Sequence, residues 1–286
     1  MLPGVASKGT VPIRAARWLI LLLFAGIWLL PLGGVALTSI RAANDLNRGN
    51  YWGWPDETQF LSNYAAVLFH SDAGRMLVNS LAITVPSVVG TLILSTMAGY
   101  ALARFHFKGS LLLLALFVGG NLVPFQILAI PVRALMVDVF GLYDTIAGLI
   151  LFHVSFQTGF ATLFMRNFIR SMPGSVIDAA RVEGLSEWQI LVYIVVPLLR
   201  PAIAAVAVLV FTFVWNDFFW SLVLTHSNTT RPVTAGLQSL RGMWVTSWHL
   251  ISAASLLAAA PPAILFFLMQ RHFIAGLTIG VSSDEG

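Results

Sequence analysis

Residues 178–201 read DAARVEGLSEWQILVYIVVPLLRP, a stretch set between two long hydrophobic segments. Gly184 divides it into two short helical pieces, because a residue free to take a left-handed backbone ends one helix and lets the chain turn. Ser175 precedes the first piece as a start signal. Ser186 followed by Gln189 gives S-x-x-Q, a capping box in which hydroxyl and amide side chains satisfy free N–H groups at a helix start. Asp178 beside Ala179 and Ala180 puts one carboxylate next to two methyl-sized side chains, a surface that another protein's backbone could approach closely. The same pattern suits an amphipathic helix among lipid headgroups, with Val176, Ile177, Val182 and Leu185 facing lipid. Periodicity alone does not choose between them.

The chain around this stretch belongs in a bilayer. Of its 286 residues 58% are hydrophobic and 10% charged, with a mean hydropathy of +0.84, whereas soluble domains carry about 25% charged residues. The net charge of +4, from 16 basic and 12 acidic residues, is small and dispersed, so nucleic acid is not an expected partner. With no cysteine, disulfides, thiolate catalysis and Cys-based metal sites are excluded.

Six segments, Trp18–Thr38, Leu77–Ala103, Leu111–Val132, Tyr143–Met165, Ala202–Leu224 and Leu250–Gln270, are apolar enough to span a hydrocarbon core that takes roughly 20 residues per helix. They lack strand alternation, and backbone in lipid must satisfy itself, so the expected fold is all-α, a polytopic bundle of six transmembrane helices. Pro124 and Pro131 are expected to kink or break the third. The first run follows Lys8, Arg14 and Arg17 as a signal peptide would, but it exceeds the usual apolar core of about 7–15 residues and reads as an uncleaved anchor. An even number of spans puts both termini on one side. Lys8, Arg14, Arg17, Arg104, Lys108, Arg166, Arg170, Arg181, Arg200 and Arg271 fall on that side, ten against the six of Arg41, Arg48, Arg75, Arg133, Arg231 and Arg241. Positive charge stays inside, so both termini and the 178–197 stretch are expected in the cytoplasm. Tyr51, Trp52, Trp54, Trp244 and Trp248 in the outer loops read as interface anchors, or as part of a surface receiving a soluble protein.

No reactive constellation is visible. H-E-x-x-H, G-x-S-x-G and Walker A motifs are missing, and His70, His106, His153, His226, His249 and His272 lack metal-ligand spacing. Neither catalytic residues, metal nor cofactor is expected, and any ATP is hydrolysed by another chain. The polar side chains at membrane depth are Asn121, His153, Ser155, Gln157, Asn216 and Asp217. A carboxylate at a span centre costs about 2.5–3.5 kcal/mol, so Asp217 should face protein or water, as a structural hydrogen-bond acceptor or in the wall of a polar path. Asn121 and Gln157 carry the same two readings, helix-to-helix hydrogen bonding or a solute route, and Asn216 joins them as a path candidate.

The opening stretch resembles the E-A-A-x-x-D-G loop of permease subunits from binding-protein-dependent ABC importers. Asp178 stands for the family's Glu, Ala179 and Ala180 match, Glu183 stands for its Asp, Gly184 matches and Pro197 falls at its closing proline. Leu185 departs, standing where the family prefers a small residue. The likeness runs from Asn79-Ser80-Leu81 through Gly141–Thr145, Phe168–Pro173 and Trp215–Phe218 to Gln270-Arg271 and Gly276-Leu277-Thr278, and is similar to the maltose-type carbohydrate permeases. After Ile279 the tail departs from that subfamily.

The resemblance implies an ABC transporter type-1 permease fold. Residues 1–17 would be a cytoplasmic N-terminal segment, 18–71 the first transmembrane helix and outer loop, 72–270 the transmembrane domain with a cytoplasmic coupling loop at 175–197, and 271–286 a cytoplasmic tail. It further implies that Asp178, Ala179, Ala180, Glu183, Gly184 and Pro197 meet ABC ATPase subunits, that a second, homologous permease completes the pathway across the lipid bilayer, and that an extracytoplasmic solute-binding protein delivers a carbohydrate. A bulky residue at Gly184 is then expected to uncouple transport from ATP hydrolysis. Two other classes compete. A secondary transporter would need a charged coupling-ion site near midmembrane, for which Asp217 stands alone. An integral-membrane assembly protein or enzyme would need a soluble domain or a catalytic cluster.

Overall fold

Backbone that must satisfy itself in lipid becomes helix. The computed structural model describes residues 11–237 and 247–281, and their one strand-like contact is an isolated bridge between Arg41 and Thr58. Lys8, Arg241, Trp244 and the tail from residue 282 lie outside the described residues. By packing, the described chain forms two units, residues 11–71 with 247–256 and residues 72–237 with 257–281.

In the first unit, helix α1 (Val11–Ser39) exposes apolar side chains all round, Trp18, Leu22 and Trp28 among them, as a lipid-facing span does. Helices α2 (Ala43–Asn47) and α3 (Phe60–Phe69) organise the loop that follows. Arg41 is completely buried: its guanidinium donates to the Gly53 carbonyl and lies 3.7 Å from Asp45, whose carboxylate accepts from the Asp56 N–H at 3.0 Å. Asn63 Nδ2 donates to the carbonyls of Ser39 and Arg41, each at 2.9 Å. Trp54 stays 82% exposed.

The second unit is built on helix α4 (Ala73–Arg104) and, two spans later, helix α7 (Ile146–Ser171), which run parallel. A buried stripe on α4, Ser80, Thr84, Ser87, Thr91, Ser95 and Gly99, recurs every three or four residues and lets the two backbones approach. At Gly99 an added Cβ would lie 2.9 Å from the backbone N of Arg166 and from Met165 Cβ. Two arginines tie the same ends together. Arg104 Nη2 donates to the carbonyls of Ile169 and Met172 at 2.6 and 2.8 Å, and Arg166 Nε donates to the Leu102 carbonyl at 3.3 Å. These bonds satisfy carbonyls that a helix end leaves free.

Between α4 and α7 the third span is interrupted, as its prolines imply. Helix α5 (Ser110–Gly120) stops, the chain turns at 121–124, and a 3-10 turn (Phe125–Leu128), helix α6 (Ala129–Ala134) and a π turn (Leu135–Val139) leave at 94°. Pro124 accompanies this break. Pro131 does not break the chain, because it sits in the first turn of α6, where the missing N–H costs no helical bond.

After α7 come helix α8 (Gly174–Val182), helix α9 (Glu187–Ile190), a π turn (Leu191–Val195) and helix α10 (Val196–Leu198), followed by a 78° bend into helix α11 (Arg200–Trp215). The expected fifth span, Ala202–Leu224, is also broken: α11 ends at Trp215 and helix α12 starts at Phe219 and ends at Leu224. Helix α13 (Val233–Gly236) follows, and helix α14 (Trp248–Val281) continues past Gln270, where the sequence placed the end of the last span. Among the described residues four helices are long and apolar enough to cross a membrane singly, and six spans result if each bent pair counts as one.

Asp144 latches the end of this unit remote from α8 to α10. Its Oδ1 accepts from the N–H groups of His226 and Ser227 at 2.8 and 3.1 Å and from the Thr230 hydroxyl at 2.6 Å. Burial alone would raise its pKa, but the Thr230, His226 and Ser227 hydrogen bonds outweigh it and hold the carboxyl well below the usual carboxylate range.

Candidate functional site

Two places in the second unit carry the residues singled out above. The first is the elbow made by α8, α9 and α10. Gly184 has φ +84°, the Gly184 N–H donates to the Arg181 carbonyl at 3.0 Å and the Leu185 N–H to the Ala180 carbonyl at 3.1 Å. That pair of bonds is a Schellman motif, which closes α8 and explains Leu185: the residue after the glycine is normally apolar and packs back on the helix. Leu185 is half-buried against the core that includes Ile177 and Ala180. The capping box forms as the sequence implies, with the Gln189 N–H donating to Ser186 Oγ at 3.3 Å and the Ser186 N–H to Gln189 Oε1 at 2.8 Å.

Two expectations about the elbow change, and Pro197 is placed. Ser175 is not the start signal of α8, which begins at Gly174 after Pro173 with no side-chain cap. Ala180 turns into the protein's own core, so only Asp178 and Ala179 of that trio are exposed, together with Glu183 and Gly184. Pro197 lies inside α10 and the chain bends at Leu199, two residues later. The headgroup alternative loses half its apolar face, since Ile177 is buried and Leu185 half-buried, while Val182 is 89% and Trp188 61% exposed.

The second place is a cavity of about 520 Å³ that brings Asn121, Gln157, Asn216 and Asp217 together with His153. Rings of Phe125, Phe152, Phe156, Phe160, Phe213, Phe218, Phe219 and Trp220 make up the rest of its wall. Asp217 stands in the gap between α11 and α12 rather than inside a helix. Its carboxylate accepts from the Trp220 N–H at 3.2 Å, the Ser221 N–H at 2.9 Å and Ser221 Oγ at 3.0 Å, so it supplies the acceptors that the first turn of α12 requires. His153 Nε2 lies 3.8 Å from Asp217 Oδ2. Asn121 and Asn216 donate to carbonyls of their own helices, Phe117 at 2.8 Å and Thr212 at 2.9 Å, rather than across to a neighbour.

Residues 92–279, which contain both the elbow and this cavity, match the family described as the binding-protein-dependent transport system inner membrane component. The chain belongs to that family. It is 37% identical over 266 residues to the osmoprotective compounds uptake permease protein GgtD of Synechocystis, covering 91% of this chain and 89% of that one. With the arabinooligosaccharides transport system permease protein AraQ of Halalkalibacterium halodurans it shares 34% identity over 281 residues, 96% and 98% of the two chains. In fold it is similar to a chain in the crystal structure of a bacterial ABC transporter involved in the import of the acidic polysaccharide alginate, with a TM-score of 0.81, 23% identity and coverage of 94% and 99%.

Several residues of this permease escaped the sequence reading. Arg181, inside the elbow motif, donates through Nε to Glu187 Oε1 at 2.7 Å and through Nη1 to Asp178 Oδ1 at 3.3 Å. Tyr100 of α4 donates to Glu187 Oε2 at 2.6 Å. The phenylalanines of the cavity were equally silent, because an aromatic residue in an apolar segment looks like any lipid-facing side chain.

Proposed function

We propose that this permease pairs with a second, homologous one to import a carbohydrate delivered by an extracytoplasmic binding protein, and that separate ATPase subunits hydrolyse ATP and dock on the elbow from the cytoplasm. The observation that carries this reading is the elbow's exposed surface. Its inner face is committed to the core through Ile177, Ala180 and Ile190, yet Val182 and Trp188 stand out beside the charges of Asp178 and Glu183. An apolar patch rimmed by charge is what a protein partner covers. The excess of basic residues on this side supports a cytoplasmic location for the elbow and both termini.

The solute's route passes the aromatic cavity. A volume of about 520 Å³ falls in the range of small-molecule sites. Aromatic faces carry negative charge density that attracts the C–H faces of a sugar ring, while amides and a carboxylate receive its hydroxyls. The name of the AraQ relative points to the same solute class.

The test is co-expression of the tagged permease with its ATPase and sister permease, followed by purification. Val182→Glu and Trp188→Glu should release the ATPase while the sister permease stays bound. An ATPase that remains bound and active with both variants would refute docking at the elbow.

A further inference from the structure

A single carboxylate joins three helices at the base of this permease. Glu187, the first residue of α9, offers Oε1 to Arg181 of α8 at 2.7 Å and Oε2 to Tyr100 of α4 at 2.6 Å. Tyr100 is buried in the same core as Ile169, Ile177, Ile190 and Val195, so the apolar contact beneath the elbow is continuous with the α4 and α7 pair. Apolar contact is non-directional: it resists separation of the two bodies, but not sliding or rotation between them. Short hydrogen bonds to a charged group have strict distance and angle requirements and fix orientation as well. Glu187 is itself held by the capping box at Ser186 and Gln189, and Arg181 by the Schellman turn at Gly184. The backbone position of each partner is thus fixed by its own helix end.

We propose that Arg181, Glu187 and Tyr100 form a rigid joint that makes the elbow and α4 move as one body, so that a push on α8 reaches the cavity. They are positioning residues. The matched positions of the importer-loop pattern include none of the three, Arg181 standing at one of its variable positions, and the inference rests on the elbow being the ATPase contact. Asp178 adds a weaker, exposed bond to the same arginine, at 3.3 Å with a side chain 70% exposed, and belongs to the docking surface rather than the joint.

The chain has no cysteine, so Asn216→Cys places a single reporter thiol in the cavity wall. In the full transporter in liposomes, the labelling rate of that thiol by N-ethylmaleimide is measured with and without ATP plus orthovanadate, alongside ATPase activity and ATPase co-purification. With an intact joint the nucleotide should change the labelling rate by about fivefold or more, the ordinary range of coupling between sites. Arg181→Glu, which faces Glu187 with a like charge, should abolish that change while the ATPase stays bound and active. Glu187→Gln, a milder variant that keeps an acceptor for Tyr100, should reduce it. The exchange Arg181→Glu with Glu187→Arg rebuilds the α8–α9 pair in reverse, with the new arginine able to donate to the Tyr100 hydroxyl oxygen, and should restore part of it. A full nucleotide response in Arg181→Glu would overturn the joint, and so would loss of the ATPase in Arg181→Glu that the exchange does not recover, since that places the residues in docking. If the permease without any substitution itself binds no ATPase, the elbow reading fails first, and the joint with it.

Discussion

The elbow turns at Gly184, and its backbone conformation sets the cost of a substitution there. The residue has φ +84°, a left-handed conformation, and a Cβ built on it meets nothing within 4 Å. Within this chain bulk therefore does not strain the turn, and the uncoupling expected of a bulky residue concerns the proposed ATPase contact instead. The cost comes from the backbone: a left-handed residue other than glycine pays about 1–2 kcal/mol, and asparagine less because it tolerates that region. Since 1.4 kcal/mol is tenfold, Gly184→Ala should raise the opening equilibrium of the Schellman turn about 5- to 30-fold. Gly184→Trp should match Gly184→Ala, and Gly184→Asn should fall below both. Hydrogen exchange of the elbow peptides, followed by mass spectrometry on the permease in nanodiscs, reads the amide of Leu185 that bonds to the Ala180 carbonyl at 3.1 Å. A tryptophan variant that exchanges far faster than the alanine variant would refute the backbone account, as would asparagine being no better than alanine.

Gly99→Ala pushes a Cβ to 2.9 Å from the backbone N of Arg166, and overpacking of this kind costs about 1–3 kcal/mol, so thermal unfolding followed by tryptophan fluorescence in detergent should shift downward. Gly90→Ala meets only the side chain of Val154, also at 2.9 Å, and should shift less; the reverse order would mean that α4 and α7 are not held by backbone approach at Gly99. Asp144→Asn should destabilise the same unfolding transition by about 1 kcal/mol at neutral pH, a value kept small because the group is only half-buried and partly screened by solvent. The folded-state pKa of Asp144 lies below its unfolded value, so its contribution is present above the ordinary carboxylate pKa of about 3.9 and is lost as pH falls from there toward the folded value. The gap between wild type and Asp144→Asn should narrow on acidification below about pH 4, and a gap that widens would contradict the latch.

The elbow was legible because its signals are local. A capping box and a turn glycine act over three or four residues, and both appear where the sequence put them. The spans were legible as composition, and Pro124 signalled the interruption of the third, but the gap in the fifth was not legible. Asn216-Asp217-Phe218 sits in a segment whose average stays apolar, so one continuous helix was the natural reading until the backbone showed the gap. The stripe from Ser80 to Gly99 has the spacing of a helix face, yet serine and threonine contribute so little to hydropathy that the face does not stand out from the rest of α4. The bond between Tyr100 and Glu187 joins residues 87 apart in the chain, and no periodicity within either segment predicts it. Ala180 was misread because motif position says nothing about which side of a short helix the core will take.

The two interruptions have a common physical meaning. Breaking a helix frees N–H and C=O groups, and lipid offers them nothing, so irregular backbone at membrane depth persists only where protein or a polar cavity receives it. The break after α5 contributes Asn121 and Phe125 to a cavity wall, and the break after α11 contributes Asn216, Asp217 and Phe218 to the same wall. At the second break Asp217 caps α12 through Trp220 and Ser221 while its backbone carbonyl accepts from the Thr234 hydroxyl at 2.6 Å. Two discontinuities in different spans, each stocked with its own polar side chain, thus converge on one aromatic-walled space. A bundle whose only task was to stay folded in lipid would gain nothing from opening two helices at the same place, and this convergence is what supports the proposal that the solute's route passes the cavity.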